Sequence, residues 1–280
     1  EVFARSLGER NRRKLTLEHE LRRALANKQF TLYWQPKVQT EDWYICGAEA
    51  LLRWNHTTLG QIPPSEFIPV AEAAGLINEI GTWVMKEACR VAAKELPGLT
   101  ISINASPAQL QRTDFIMHVD AALSLAGLPP DHLEVEITES LFMDASPVAL
   151  RNLRALHKRG VRVALDDFGT GYSSLAYLRK FPFDTLKIDR AFVTELLSRP
   201  DARAIVRTII DLARTLGMDT VAEGVEEPAQ LAVLERAGCH VIQGYLIAKP
   251  LPINEFNELL ENWIPGNTPQ VSAVPQTEFG

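Results

Sequence analysis

Two glutamates interrupt runs that otherwise read as apolar strands. Glu49 lies in Gly47-Ala48-Glu49-Ala50-Leu51-Leu52-Arg53-Trp54, and Glu136 in a run from Leu133 to Ile137. A lone buried carboxylate is costly, so each calls for a cation or a hydrogen-bond network. Other strand-like runs close on polar residues: Asn104, Asp166 with Asp167, Lys187 with Asp189, Glu223, and Gln243. A single Asp after a strand is ordinarily the N-cap of the next helix. Five acids and an amide converging on one place are different, because they repel unless cations neutralise them. Carboxylate and amide oxygens are hard donors, which suit Mg²⁺ or Mn²⁺. Adjacent carboxylates such as Asp166 and Asp167 can bridge two ions with one side chain shared. None of the six histidines falls at the C-terminal end of a strand on this reading, which argues against a histidine-bound zinc site. Lys187 ends an apolar strand two positions before Asp189 and can point into the same mouth as the acids.

Such residues meet only if the fold brings strand ends together. Strands are expected near Thr31–Val38, Cys46–Trp54, Thr100–Asn104, Leu133–Ile137, Arg162–Asp166, Thr185–Ile188, Asp219–Ala222 and His240–Gln243. Amphipathic helices separate most of them. One covers Ala202–Leu216, with Ile205, Val206, Ile209, Ala213 and Leu216 on one face; another covers Pro228–Ala237 and stops before Gly238. Alternating strands and helices imply a parallel sheet, and eight strands imply a closed α/β barrel of the TIM-like (β/α)8 type, whose chemistry sits at the C-terminal strand ends. Only a short turn at Glu41–Asp42 joins the first two strands, so they are expected to form a hairpin, with an irregular, antiparallel first strand. Residues 1–26 read as a charged linker helix with Leu17, Leu21 and Leu25 on one face, which can also pack on the barrel's outside, 27–264 as the barrel, and 265–280 as a disordered tail rich in Pro, Gly, Ser, Thr and Gln. The Gly-rich run from Phe168 to Ser174 reads as a loop over the paired aspartates, either a plain turn or a lid.

The bulk numbers bound the rest. The chain has 280 residues, 46% hydrophobic and 23% charged, with a net charge of −6. That balance suits one large domain and gives no broad basic surface for long nucleic acid. Cys46, Cys89 and Cys239 form no C-x-x-C pair and read as reduced thiols. No run approaches the roughly 18 apolar residues of a membrane span, and no signal peptide is visible. The chain begins at Glu1, so an upstream anchor or sensor is left open.

Taken together, the motifs resemble the EAL-domain phosphodiesterases that hydrolyse cyclic di-GMP. The resemblance runs from about Phe30 to Trp263. It is carried by Gln35-Pro36-Lys37-Val38, Glu49-Ala50-Leu51-Leu52-Arg53-Trp54, Asn104, Glu136-Ile137-Thr138-Glu139-Ser140, Asp166-Asp167-Phe168-Gly169-Thr170-Gly171, Lys187-Ile188-Asp189, Glu223-Gly224-Val225-Glu226 and Gln243-Gly244-Tyr245. The resemblance implies that Glu49, Asn104, Glu136, Asp166 and Glu223 bind a metal, with Asp167 serving a second. It implies that Lys187 positions or deprotonates the attacking water, that Gln35 and Arg53 contact substrate, and that Glu139 anchors the loop after Asp167. Asp189, Glu226 and Gln243 are expected as support around Lys187, the metals and the water. The implied product is linear pGpG. The alternative is a receptor module for cyclic di-GMP with little turnover. A cytoplasmic homodimer is expected; the helix near Asp114–Ala126 and the N-terminal helix are candidate faces, with plain surface packing as the alternative for each. The resemblance also implies fusion to upstream GGDEF or sensory domains, and allows a membrane anchor in regions outside this chain.

Overall fold

The computed structural model of the chain describes residues 2–142, 146–169 and 175–266. Its nine strands are β1 (Phe30–Gln39), β2 (Ile45–His56), β3 (Gly60–Ile62), β4 (Thr100–Asn104), β5 (Leu133–Thr138), β6 (Arg162–Phe168), β7 (Thr185–Ile188), β8 (Asp219–Ala222) and β9 (Val241–Ile242). From β2 through β4 to β9 each ring neighbour is parallel. β1 closes the ring, antiparallel to both β2 and β9. Eight strands therefore form the barrel. β3 lies outside it, paired with an extension of β2 at Trp54–His56. The irregular antiparallel first strand follows from the tight turn at Glu41–Asp42, which leaves no room for a crossover helix.

The helices cover the outside of the ring. The helix Pro228–Ala237 begins on its proline and ends at Gly238, whose φ of 81° is the left-handed conformation that stops a helix. Pro200–Leu216 buries Ala202, Val206, Ile209, Ile210 and Ala213. Ile205, expected on that face, is 40% exposed. At 100° per residue the buried seam centres near Ala213, about 80° round the helix from Ile205, so Ile210 takes the inner position instead. The N-terminal helix Val2–Ala24 lays Leu17, Leu21 and Ala24 into the core. Arg13 pairs with Glu66 at 2.6 Å, and Glu20 meets His56 at 3.1 Å. The expected tail falls mostly on residues 267–280, and part of the expected lid on residues 170–174; both lie outside the described residues.

Candidate active site

Side chains alternate in a strand, so two residues back from each inward-facing residue is another. Applied to the ring, this rule builds two layers inside the barrel, the upper wholly polar and the lower half so. The upper layer, at the C-terminal mouth, holds Gln35, Glu49, Asn104, Glu136, Asp166, Lys187, Glu223 and Gln243. The lower one holds Lys37, Gly47, Ser102, Glu134, Ala164, Thr185, Val221 and Val241. The register keeps these levels within β1–β2, β4–β5, β6–β7 and β8–β9, as with Gln35 opposite Glu49 and Asn104 opposite Glu136, and steps by two residues between those pairs, with Glu49 opposite Ser102, Glu136 opposite Ala164 and Lys187 opposite Val221.

Lys187 stands at the centre of the upper layer and is fully buried. Its ammonium lies 2.5 Å from Glu136 Oε2, 2.6 Å from Glu223 Oε1, 3.0 Å from Asp166 Oδ2 and 3.9 Å from Glu49 Oε2. Burial alone would favour the neutral amine; Glu136, Glu223, Glu49 and Asp166 outweigh it and hold the pKa well above the ordinary lysine value. One cation does not balance four acids. Burial pushes Glu223 up to about 8, and Asp166, Glu49 and Glu136 add to that rise against the pull of Lys187. Glu49 is oriented by two amides: Asn104 Nδ2 donates to its Oε1 at 2.7 Å, and Gln243 Nε2 to its Oε2 at 2.7 Å. Gln243 also donates to Gln35 Oε1 at 3.0 Å. Gln243 is held there by a close backbone approach, since a Cβ on Gly244 would stand 2.1 Å from the carbonyl oxygen of Val225.

Neighbours in a regular strand point to opposite faces, which would separate Asp166 from Asp167. The β6–β7 register shifts between Leu165 and Phe168, and Asp167 adopts a left-handed φ of 57°. This irregularity re-aims the second carboxylate. Burial, Asp166 and Asp189 together raise the Asp167 carboxyl to about 6, which places all three acids in one field. The Asp167 amide donates to Asp166 Oδ1 at 2.8 Å, and the Gly169 amide to Glu139 Oε2 at 3.3 Å. Asp189 caps the helix Arg190–Glu195 through the Ala191 amide.

Arg53 and Glu226 lie at the rim. The Arg53 guanidinium is half-buried, 5.3 Å from the Tyr33 ring centre, and burial lowers its pKa. Glu226 is exposed and pairs at 2.9 Å with Arg190 rather than with Lys187. A cavity of about 260 Å³ opens between Arg190, Tyr245 and the acids Glu49, Asp166 and Glu223. A more spacious one of about 660 Å³, beside Trp43 and His240, contains no residue of the upper layer.

The lower layer escaped the sequence reading. Lys37 donates to Ser102 Oγ at 2.5 Å, Glu134 Oε1 at 3.1 Å and Glu136 Oε1 at 2.8 Å. Glu134 also accepts from Ser102 at 2.7 Å and from Thr185 at 2.6 Å. Burial would raise Glu134; Lys37 and the two hydroxyls overcome it and hold the carboxyl at about 2. The alternation that marks Glu136 points back to Glu134. Lys37 is harder to find, because its strand runs the other way.

The histidine expectation needs one correction. β2 reaches His56, so a histidine does end a strand. It sits on the part of β2 beyond the ring, and its ring nitrogens meet Glu20, Thr58 and Leu59.

The donor set suits a hard divalent cation, with carboxylate and amide oxygens at the mouth and acids in excess of Lys187. Among the described residues no three His, Cys, Asp or Glu side chains are spaced to clasp an ion as they stand. The Lys187 ammonium lies between the acids, so the fit is one of chemistry and of excess negative charge.

Known proteins share this arrangement of fold and sequence. The EAL domain family model matches residues 18–250. The chain is 44% identical to the bifunctional diguanylate cyclase/cyclic di-GMP phosphodiesterase MucR of Pseudomonas aeruginosa, over 91% of this chain and 38% of that protein. It is 40% identical to the cyclic di-GMP phosphodiesterase NbdA of the same organism, over 93% of this chain and 34% of that protein. It thus spans about a third of the length of these curated relatives. A solved structure of the MucR phosphodiesterase in complex with c-di-GMP superposes with a TM-score of 0.82 at 44% identity, covering 86% of this chain and 99% of that one.

Proposed function

The chain belongs to the EAL-domain family, and from that premise we propose that it is a metal-dependent phosphodiesterase that hydrolyses cyclic di-GMP to linear pGpG. The observation that supports this most is the upper layer itself, where Glu49, Asn104, Glu136, Asp166 and Glu223 surround Lys187 at the mouth of the barrel. Those five residues are assigned to a divalent ion, Mg²⁺ or Mn²⁺, and Asp167 to a second. Such ions lower the pKa of water and offset charge on phosphate oxygens.

The chain's own residues do the rest. Lys187 offers N–H donors from a charged ammonium, which favours orienting the attacking water over taking its proton. Gln243 and Asn104 hold the Glu49 carboxylate by its two oxygens, so it does not rotate as substrate enters. Arg53, braced over Tyr33, presents a cation to a phosphate. Gln35, linked to Gln243, lies beside the cavity as a substrate contact. Glu139 steadies the turn after Asp167 through the Gly169 amide, and Asp189 sets the field around Asp167. Glu226 acts from the rim through Arg190.

The test is turnover of cyclic di-GMP followed by chromatography of pGpG. Activity should vanish in excess chelator and return with Mg²⁺ or Mn²⁺. Full activity under chelation refutes the metal role. Tight binding with no turnover in either metal makes the domain a cyclic di-GMP receptor instead.

A further inference from the structure

Lys37 has no part in the chemistry described so far. It is 4% exposed and lies in the lower layer, beneath the acids. An ammonium has three hydrogens to give, and Lys37 has three acceptors: Ser102, Glu134 Oε1 and Glu136 Oε1. Lys187 takes the other oxygen of Glu136. Glu136 is therefore held at both oxygens, from below by Lys37 and at the level of the mouth by Lys187. The last torsion of a glutamate is soft and broad, so an unrestrained carboxylate turns easily, and a donor that stays on one oxygen restrains it when the other is released. Lys37 is itself fixed. Glu134 accepts from it and is locked in turn by the hydroxyls of Ser102 and Thr185.

We infer that Lys37 is a positioning residue that sets the orientation of the Glu136 carboxylate and thereby the affinity of the barrel mouth for its divalent ion. This rests on the assignment of Glu136 as a metal ligand in the phosphodiesterase reading. The competing account makes Lys37 only a counter-charge for two buried glutamates. The two accounts differ in sign. Removing a nearby positive charge tightens cation binding by electrostatics alone. Removing the donor that orients a ligand weakens it.

The experiment compares Lys37→Met, Glu134→Gln and the double variant K37M/E134Q with the wild type. The double variant removes one charge of each sign, so it preserves the balance of the lower layer where the lone K37M does not. Each metal-free protein is titrated with Mn²⁺ by calorimetry, beside a thermal melt, and KM for cyclic di-GMP is measured at saturating Mn²⁺. Glu134→Gln leaves the Lys37–Glu136 contact in place and should bind Mn²⁺ within about threefold of wild type, whereas K37M/E134Q should bind about 10- to 100-fold more weakly, with KM little changed. Affinity in the double variant equal to or above that of wild type overturns the inference. If neither Met variant folds, Lys37→Arg carries the test: it keeps the charge and moves the donors, and unchanged Mn²⁺ affinity overturns the inference. A wild type that neither binds Mn²⁺ nor turns over takes down the phosphodiesterase reading and this inference together. A wild type that does both, beside a double variant of equal affinity, takes down the role of Lys37 alone.

Discussion

At the scale of single residues, the site is a set of carboxylates in search of cations; Lys187 meets all four of them, and Lys37 reaches Glu136 alone from below. Removing that ammonium leaves Glu136, Glu223, Asp166 and Glu49 facing one another in a buried space. Breaking a buried charge pair costs about 3–5 kcal/mol, so metal-free Lys187→Met should melt well below metal-free wild type. Mn²⁺ should restore much of the difference, because it supplies the missing charge to the folded state only. Turnover at saturating metal should still be lower by about 10² to 10⁴, the usual effect of losing a positioned acid–base group. Melting curves with and without Mn²⁺, beside single-turnover rates, check both halves. A metal-free variant as stable as wild type would show that the acids do not depend on Lys187. Asp167 gives a second expectation, since its left-handed backbone is tolerated by Asn and penalised in Ala. Asp167→Asn and Asp167→Ala should both lose activity, but Ala should lose about 1 kcal/mol more stability in urea. Equal stabilities would mean that the backbone relaxes when the carboxylate is gone.

At the scale of elements, the barrel turns strand endings into a site, and that is why much of it was legible. Each of Asn104, Asp166, Lys187, Glu223 and Gln243 lies at or beside the end of a strand whose apolar run announces it. Glu49 and Glu136 were marked by the cost of burying them. What stayed hidden depends on strand direction and local geometry. Ser102, Glu134 and Thr185 lie two residues behind Asn104, Glu136 and Lys187, where a polar side chain does not mark the end of an apolar run. Lys37 lies two residues after Gln35, and only the antiparallel course of β1 sends it deeper. The shift in β6 that re-aims Asp167 has no local signature, because its only special residue is the aspartate itself. β3 has three residues, too short to show a period. The boundary expected at residue 27 also has a measurable consequence. Leu17 and Leu21 are 1% and 2% exposed and belong to the barrel's core. Leu21→Ala should destabilise the protein by about 2–5 kcal/mol, the range for emptying a buried leucine site. Urea denaturation measures it, and a change under 1 kcal/mol would return the helix to the status of a detachable linker.

At the scale of the whole molecule, the question is how the metal site couples to the stability of the ring that builds it. The three cysteines report on this without any substitution. All three are free thiols; Cys89 and Cys239 are buried and Cys46 is half-buried near the opposite end of the barrel. Burial pushes Cys89 up to about 12 and Cys239 up to about 11, against about 8.5 for a thiol in an unfolded chain. The sign is clear: below those values the folded protein holds neutral thiols, and only the thiolate attacks an alkylating reagent. At pH 8 the folded chain should therefore label slowly at Cys89 and Cys239, through opening of the structure, and much faster once denatured. Burial also pushes the Cys46 thiol up to about 11, so Cys46 should label slowly too, ahead of the other two only as far as its partial exposure admits reagent without opening. If all eight ring strands open together, anything that binds the folded mouth must slow labelling at Cys89, on a helix outside the ring, as much as at Cys239, just before β9. Ligand at 100 times its dissociation constant contributes about 2.7 kcal/mol, or roughly a hundredfold in rate where labelling follows the open population. Mass spectrometry of alkylated peptides, with Mn²⁺ and with chelator, reads each cysteine separately. Equal slowing at the two buried thiols makes the barrel one cooperative unit closed by its metal. Slowing at Cys239 alone confines the coupling to the strands that carry Glu223 and Gln243, and no slowing at either means that both thiols open without disturbing the mouth, so that the ring is not one cooperative unit.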